Sequence, residues 1–129
     1  MPVYGLFDYD PDGIGILYNY KYGSARYKHD TSSVATPRIT WLGVRSCHVF
    51  DLEERRQAGN NEQGLMHLSA RDRKKATKML DWPHVVEESS ELRRELQIML
   101  ILGYKAEIQV VGAADGGLLR WVEDKMVVL

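Results

Sequence analysis

Residues Val3 to Phe7 form a short apolar run that stops on three acids spaced two apart, Asp8, Asp10 and Asp12, with Pro11 among them and Gly13 just behind. This junction constrains the chain more than any other stretch. The run has the composition of a buried strand, and such a strand cannot continue through three carboxylates. Pro11 lacks an N–H and has a fixed φ, which suits the first turn of a helix. The strand therefore has to hand over to a helix at this point. Gly13 to Tyr22 supplies it, with Ile14, Ile16, Leu17 and Tyr18 or Tyr20 available for burial and Gly23 as its stop. A strand that ends on carboxylates delivers them to a site at its end. Carboxylates this dense repel one another, so a hard divalent cation is their natural partner.

The remaining elements follow from pattern and punctuation. Arg38 to Val44 carries Ile39, Trp41, Leu42 and Val44 and ends near Gly43, which predicts a second strand with Trp41 in the core. Two short apolar segments joined by a helix imply a βαβ unit with a parallel sheet, and Val3–Phe7 is then expected to be buried on both faces. Ser24 to Pro37 reads as a polar loop, and Glu53 to Gly64 as an exposed connection. Ser69 and Asp72 form a capping-box pattern that opens a helix over Ala70 to Leu80, closed by Asp81-Trp82-Pro83. Ser90 to Leu102 is the clearest helix, with Leu92, Leu96, Met99 and Leu100 on one face and Glu91, Arg93, Arg94 and Glu95 on the other. Lys105 to Val111 fits strand or helix equally, and Leu118 to Val127 reads as a final helix after Gly116-Gly117. The fold class is α/β.

Composition narrows the function. At 129 residues and 44% apolar content, the chain suits one small domain or part of a larger one, with a real core. Its formal charge of −1 gives no global basic signature, so any nucleic-acid surface has to be a local patch. Arg71, Arg73, Lys74, Lys75 and Lys78 would form such a basic helix face, either solvated or in contact with DNA phosphates. Cys47 is the only cysteine, which excludes an intrachain disulfide and fits a reducing compartment. The four histidines lack zinc-ligand spacing. There is no basic leader, and the apolar stretch near Ile98 to Gly103 is too short to span a bilayer, so a soluble intracellular protein is expected. Tyr18, Tyr20, Tyr22 and Tyr27 fit packing better than base stacking, and Lys105 with Glu107 suits an exposed ion pair as well as a functional role.

Three metal-site patterns compete for the acids. An EF-hand loop matches at Asp8, Asp10, Asp12 and Gly13, but Asn19 stands where a bidentate Glu is required and Gly15 where an apolar residue pairs two loops. An aspartyl phosphotransferase would use Asp8 as nucleophile and Asp10 as acid, but its downstream lysine and further acidic strand end find no clear match. The third pattern extends along the chain. Asp8-Tyr9-Asp10-Pro11-Asp12-Gly13-Ile14 resembles the Asp-x-Asp-Pro-x-Gly-Ile motif of the A-type subunit of topoisomerase VI, shared with its eukaryotic relatives, the proteins that make meiotic DNA double-strand breaks. Tyr20 to Ser24, Trp41-Leu42-Gly43-Val44-Arg45, Leu68 to Lys75, and Arg94-Glu95-Leu96 through Lys105-Ala106-Glu107-Ile108 resemble further segments of that family, in the same order. The wording of these motifs looks fungal-like.

The resemblance implies a partial Toprim domain, Rossmann-like, with a short parallel sheet flanked by helices and its first strand missing. Asp8 and Asp10 would hold Mg²⁺ beside the scissile phosphate, and Gly13 would let the backbone turn into the helix. Asp12 would favour the helix N-terminus more than the metal. In the family a glutamate on an earlier strand completes the metal shell, and a tyrosine on a separate winged-helix domain attacks the phosphorus. Neither has a counterpart in residues 1–129, so the expectation is a single C-terminal Toprim fragment that binds metal weakly and does not cleave DNA alone. An apolar edge exposed by the missing strand would make the isolated chain marginally stable or self-associating. The implied partners are DNA, a second copy in a homodimer and the B-type ATPase of topoisomerase VI, acting in the nucleus on the chromosome.

Overall fold

A computed structural model describes residues 2–23, 38–59, 64–88, 90–112 and 117–128. The predicted loop at Ser24 to Pro37, including Tyr27, lies outside them. Strands β1 (Val3–Leu6) and β2 (Ile39–Gly43) pair in parallel, Val3 opposite Ile39 and Gly5 opposite Trp41, with a register shift between Gly5 and Leu6. Helix α1 (Pro11–Tyr22) starts the crossover between them, as parallel pairing requires. Pairing extends beyond the strands, since Phe7 N–H donates to the Gly43 carbonyl (2.7 Å) and Val44 N–H to that of Phe7 (2.8 Å). β1 is not buried on both faces. Only Gly5 within it is buried and Val3 is 43% exposed, and among the described residues β2 is its only neighbouring strand.

Local chemistry sets most helix ends. Asp10 caps α1, accepting from Gly13 N–H, and Pro11 opens its first turn. Gly23 closes it at φ 79°, a region that favours glycine. Helix α2 (Ser46–Gln57) corrects the sequence reading, because Glu53 to Gln57 are its last turns and not a connection. It buries only Ser46, Val49 and Leu52, so its polar surface has the composition of a loop. Helix α3 (Ala70–Met79) begins on the expected capping box, with reciprocal Ser69–Asp72 bonds of 3.0 and 2.9 Å. Helix α4 (Glu91–Leu102) is capped by Ser90 and stops at Gly103.

The ambiguous Lys105–Val111 segment contains both element types, strand β4 (Tyr104–Ala106) and the short helix α5 (Gln109–Gly112). Strand β3 (Leu65–His67) pairs with β4 in an antiparallel ribbon that the sequence did not announce. Tyr9 joins the two sheets, donating its N–H to the Ala106 carbonyl at 2.7 Å and accepting from Ala106 N–H at 3.0 Å. Helix α6 (Gly117–Val128) packs on β2 and α5.

Helices α1, α3 and α4 pack against one another around Ile14, Leu17, Met79, Leu92, Leu96 and Met99, all essentially inaccessible, and Trp41 is 2% exposed as expected. Each such side chain contributes roughly 1.5–3 kcal/mol of burial. The buried face of α4 departs from the simple stripe, because Leu100 is only half-buried and Glu95 is buried. Burial of Glu95 is possible because Ser46 N–H donates to its carboxylate (3.1 Å) and Arg45 lies 3.7 Å away. No helix among the described residues is long and apolar enough to cross a membrane.

Candidate functional site

The acids stand where β1 gives way to α1, beside the Tyr9–Ala106 bridge. Asp8 accepts the Ile108 N–H through Oδ1 at 2.6 Å, and Asp10 accepts the Gly13 N–H through Oδ1 at 2.6 Å. Each carboxylate thus spends one oxygen on a backbone donor and keeps Oδ2 for another partner. Between them Tyr9 turns the opposite way, as alternation along an extended chain requires. Its ring is fully buried and its hydroxyl donates to the Glu95 carbonyl at 3.1 Å. Burial, with Glu95 and Cys47 adding to it, pushes the Tyr9 hydroxyl pKa well up. Tyr9 is therefore a core residue and not a nucleophile, despite its place between the two aspartates.

Gly13 is required for space. A Cβ there would overlap the backbone carbonyl oxygen of Asp8 and crowd the Asp10 carboxylate. The expected role, a tight entry into the helix, holds through this close approach, since Gly13 is not among the residues with positive φ.

Two lysines reach toward the acids from other elements. Lys75 on α3 pairs with Asp12 on α1, and Lys105 on β4 bonds Asp72 at 2.6 Å. The Lys105–Glu107 ion pair, one of the two readings that the sequence left open, does not form, and Glu107 instead accepts from Gln109 at 2.5 Å. β4 ends at Ala106, so Glu107 lies beyond the strand and the alternation that would put it on the face of Lys105 does not extend to it. The Asp72 bond holds the Lys105 ammonium above its usual range, with Asp10 and Asp12 adding to the shift. Asp72 is held below the usual carboxylate range by Lys105 and Ser69, against its own desolvation. Asp10 shifts upward. Burial is the main cause, and the neighbouring charges of Asp8 and Asp12 add to it, against the Gly13 N–H and Lys105.

The donor set suits Mg²⁺, which takes hard oxygen ligands and is usually held by one or two carboxylates with phosphate and water completing its shell. Asp8 and Asp10 supply two such carboxylates, and a cation would oppose the part of the Asp10 shift that comes from the charges of Asp8 and Asp12, although burial is its larger cause. Asp12 is directed to Lys75. Among the described residues no group of three or more His, Cys, Asp or Glu side chains is gathered to hold a metal without help.

The basic helix face divides in two. Arg71, Lys74, Lys75 and Lys78 share one side of α3 by helical spacing. Arg71, Lys74 and Lys78 are exposed and have no acidic partner among the described residues. Arg73 lies on the opposite side, where its guanidinium donates to the Leu100 carbonyl (3.3 Å) at the end of α4. Its removal from the patch follows from the roughly 100° turn per residue of an α-helix. The Lys105–Asp72 pair was missed in the sequence, although both residues stand in the motifs that carried the resemblance.

A parallel strand pair, each strand feeding a helix at its carboxyl end with paired aspartates at one of these junctions, defines an α/β domain built around a carboxylate site. The family model for the Toprim domain of Spo11 and the topoisomerase 6 A-type subunit matches residues 1–119, and the chain belongs to that family. It is 39% identical over 115 residues to the meiotic recombination protein SPO11-1 of Oryza sativa subsp. indica, covering 89% of this chain and 29% of that protein. It is 33% identical over 111 residues to the meiotic recombination protein SPO11 of Homo sapiens, covering 86% and 26%. It is 33% identical over 113 residues to the A-type subunit of DNA topoisomerase 6 from Arabidopsis thaliana, covering 88% and 25%. The chain thus spans less than a third of the length of these relatives.

Proposed function

We propose that this chain is a metal-dependent DNA-binding Toprim module, with Asp8 and Asp10 holding Mg²⁺ and the metal engaging a backbone phosphate. The carrying observation is the pair of carboxylates at the end of β1, each anchored through Oδ1 and each keeping Oδ2. When bound, the metal would stabilise charge on the phosphate oxygens. Arg71, Lys74 and Lys78 on the exposed face of α3 would contact flanking phosphates, and Lys75 would join them when released from Asp12. Relatives named for meiotic recombination and for DNA topoisomerase 6 support a parent activity of that class. On this reading the parent reaction is double-strand cleavage by tyrosyl transesterification on chromosomes in the nucleus. The attacking tyrosine and the upstream glutamate would come from outside residues 1–129, within a homodimer that can pair with a B-type ATPase.

A narrower reading, a binding module without cleavage, draws support from Tyr9, the tyrosine nearest the aspartates in sequence, whose hydroxyl is committed to the core. Anisotropy of a labelled DNA duplex, titrated with the chain at fixed ionic strength with and without Mg²⁺, tests the shared claim. Binding should tighten with Mg²⁺, and Asp8→Asn and Asp10→Asn should abolish that gain. A Mg²⁺ response that survives both substitutions rejects the assignment. Covalent attachment of the chain to 5′ DNA ends would reject the narrower reading alone.

A further inference from the structure

The antiparallel bridge between Tyr9 and Ala106 brings β4 against the aspartates. Tyr9 and Ala106 exchange both backbone hydrogen bonds, at 2.7 and 3.0 Å, and one step along the pair Lys105 falls opposite Asp10. Ile108 N–H, from the same segment, donates to Asp8 at 2.6 Å. The fold therefore places the Lys105 cation at the edge of the Asp8–Asp10 pair, and the charges of Asp10 and Asp12 both act on its ammonium. A lysine on a flexible four-carbon stem in that position would be expected on the Asp10 carboxylate. It is held elsewhere. Lys105 Nζ donates to Oδ2 of Asp72 at 2.6 Å, in a pair whose side chains are only 23% and 16% exposed. Asp72 is itself held. The same Oδ2 accepts Ser69 N–H at 2.9 Å, and Asp72 N–H donates to Ser69 Oγ at 3.0 Å. The capping box thus fixes the carboxylate at the first turn of α3, and the carboxylate fixes the ammonium. An ammonium resting on Asp10 would instead neutralise the charge that attracts a divalent ion.

We propose that Asp72 is a positioning residue for the metal site: it retains Lys105 beside Asp10 and so keeps the Asp8 and Asp10 oxygens free for a divalent ion. The inference rests on the metal reading above and adds to it a residue that acts through Lys105. Uptake of Mn²⁺ alone, followed at fixed ionic strength by loss of the free ion's paramagnetic resonance signal, tests it, because Mn²⁺ suits the same oxygen ligands as Mg²⁺. Asp72→Asn keeps an oxygen for Ser69 N–H but gives up the charge that holds Lys105. It should weaken Mn²⁺ binding by about tenfold, the scale of one nearby charge at a partly exposed site. Adding Lys105→Met should restore native binding or exceed it. Adding Lys74→Met instead removes the same charge from an exposed position on α3 and should restore little. Native affinity in Asp72→Asn, no rescue by Lys105→Met, or equal rescue by Lys74→Met overturns the proposal. A second readout needs no metal. In EDTA at pH 7, urea unfolding should show Asp10→Asn stabilising the native chain and destabilising the Asp72→Asn chain, in which Lys105 has moved onto Asp10. The same sign in both backgrounds also overturns the proposal. Absence of Mn²⁺ uptake by the native chain rejects the metal reading, whereas retention of Lys105 stands or falls on the readout in EDTA.

Discussion

The two parallel strands end side by side, and each feeds a helix, but their ends are built in opposite ways. β1 ends on Asp8, Asp10 and Asp12, of which only Asp12 pairs with a cation among the described residues, and the Asp10 carboxyl is pushed up, by burial first and then by the charges of Asp8 and Asp12. β2 ends on Arg45, whose charge is answered within the chain. Glu91 pairs with Arg45 and lies 3.8 Å from Lys21, and Glu95 lies 3.7 Å from Arg45 and caps the first turn of α2. The same backbone geometry thus supports one junction that is electrostatically closed and one that is electrostatically open. Closed junctions contribute stability, and open ones lose some of it in favour of binding.

The largest expected effect tests the closed junction. Glu95→Ala removes the partner of a buried N–H and half of the answer to Arg45, and should lower stability by about 3–4 kcal/mol in urea unfolding. Asp8→Ala at the open junction removes one bond to Ile108 N–H and also relieves repulsion, so the loss should be about 1 kcal/mol or less. Equal losses at the two positions would erase the distinction between the junctions.

Gly13→Ala comes next. The new methyl would overlap the Asp8 carbonyl, and because that atom is backbone it cannot simply rotate away. A loss of about 2–3 kcal/mol is expected from overpacking, together with a weaker Mg²⁺ response as Asp8 is displaced. An alanine chain with unchanged midpoint and unchanged Mg²⁺ response would show that the acids tolerate movement.

His48 belongs to the closed side. Its Nδ1 accepts the Arg45 N–H at 2.9 Å, and its ring meets Trp121 edge-on with centroids 4.9 Å apart. Burial, then the charges of Lys125 and Arg45, lower its pKa from 6.5 to about 4, with Asp51 opposing. The unfolded chain therefore takes the proton first as pH falls. Stability is complete above about pH 6.5 and declines through the window down to about pH 4. One pKa unit corresponds to about 1.4 kcal/mol, and discounted for the partial exposure of the ring the decline is about 2 kcal/mol. Urea midpoints across this window should slope for the native chain and flatten for His48→Gln. An equal slope in both would assign the effect to other groups.

These contrasts follow how far each feature could be read in the sequence. Asp10, Pro11, Gly23, Ser69, Asp72 and Ser90 act within a few residues of themselves, and the helix ends they set are where the sequence puts them. Helix α2 was not legible because only three of its residues are buried, and because its start is capped by His48 and by Glu95, the second 49 residues from Ser46, in place of a Ser, Thr, Asp or Asn at the N-cap. Strands β3 and β4 have three residues each, too short to show alternation. Asp8 and Asp10 were legible as a pair because one junction carries both. The Lys105–Asp72 bond spans 33 residues and could not be read from spacing, whereas helical spacing alone sets Arg73 off the face that Arg71, Lys74, Lys75 and Lys78 share.

The smallest expected effect is the most diagnostic of the open junction. Asn caps a helix as well as Asp does, so Asp10→Asn keeps the bond from Gly13 N–H while removing a charge that Asp8 and Asp12 oppose. The folded-state pKa of Asp10 lies above its ordinary 3.8, so the native chain loses stability as pH rises through that raised value and Asp10 ionises. Asp10→Asn should therefore be more stable than the native chain at pH 7, by less than about 1 kcal/mol because Asp10 is partly solvated, and no more stable below pH 3.8. Mg²⁺ should reverse the order at pH 7, stabilising the native chain and leaving the variant unchanged, because only the native chain offers two anionic oxygens to the ion. If Asp10→Asn is destabilised at pH 7 without metal, Lys105 and Lys75 already balance the acids, and the junction at β1 is closed like its neighbour.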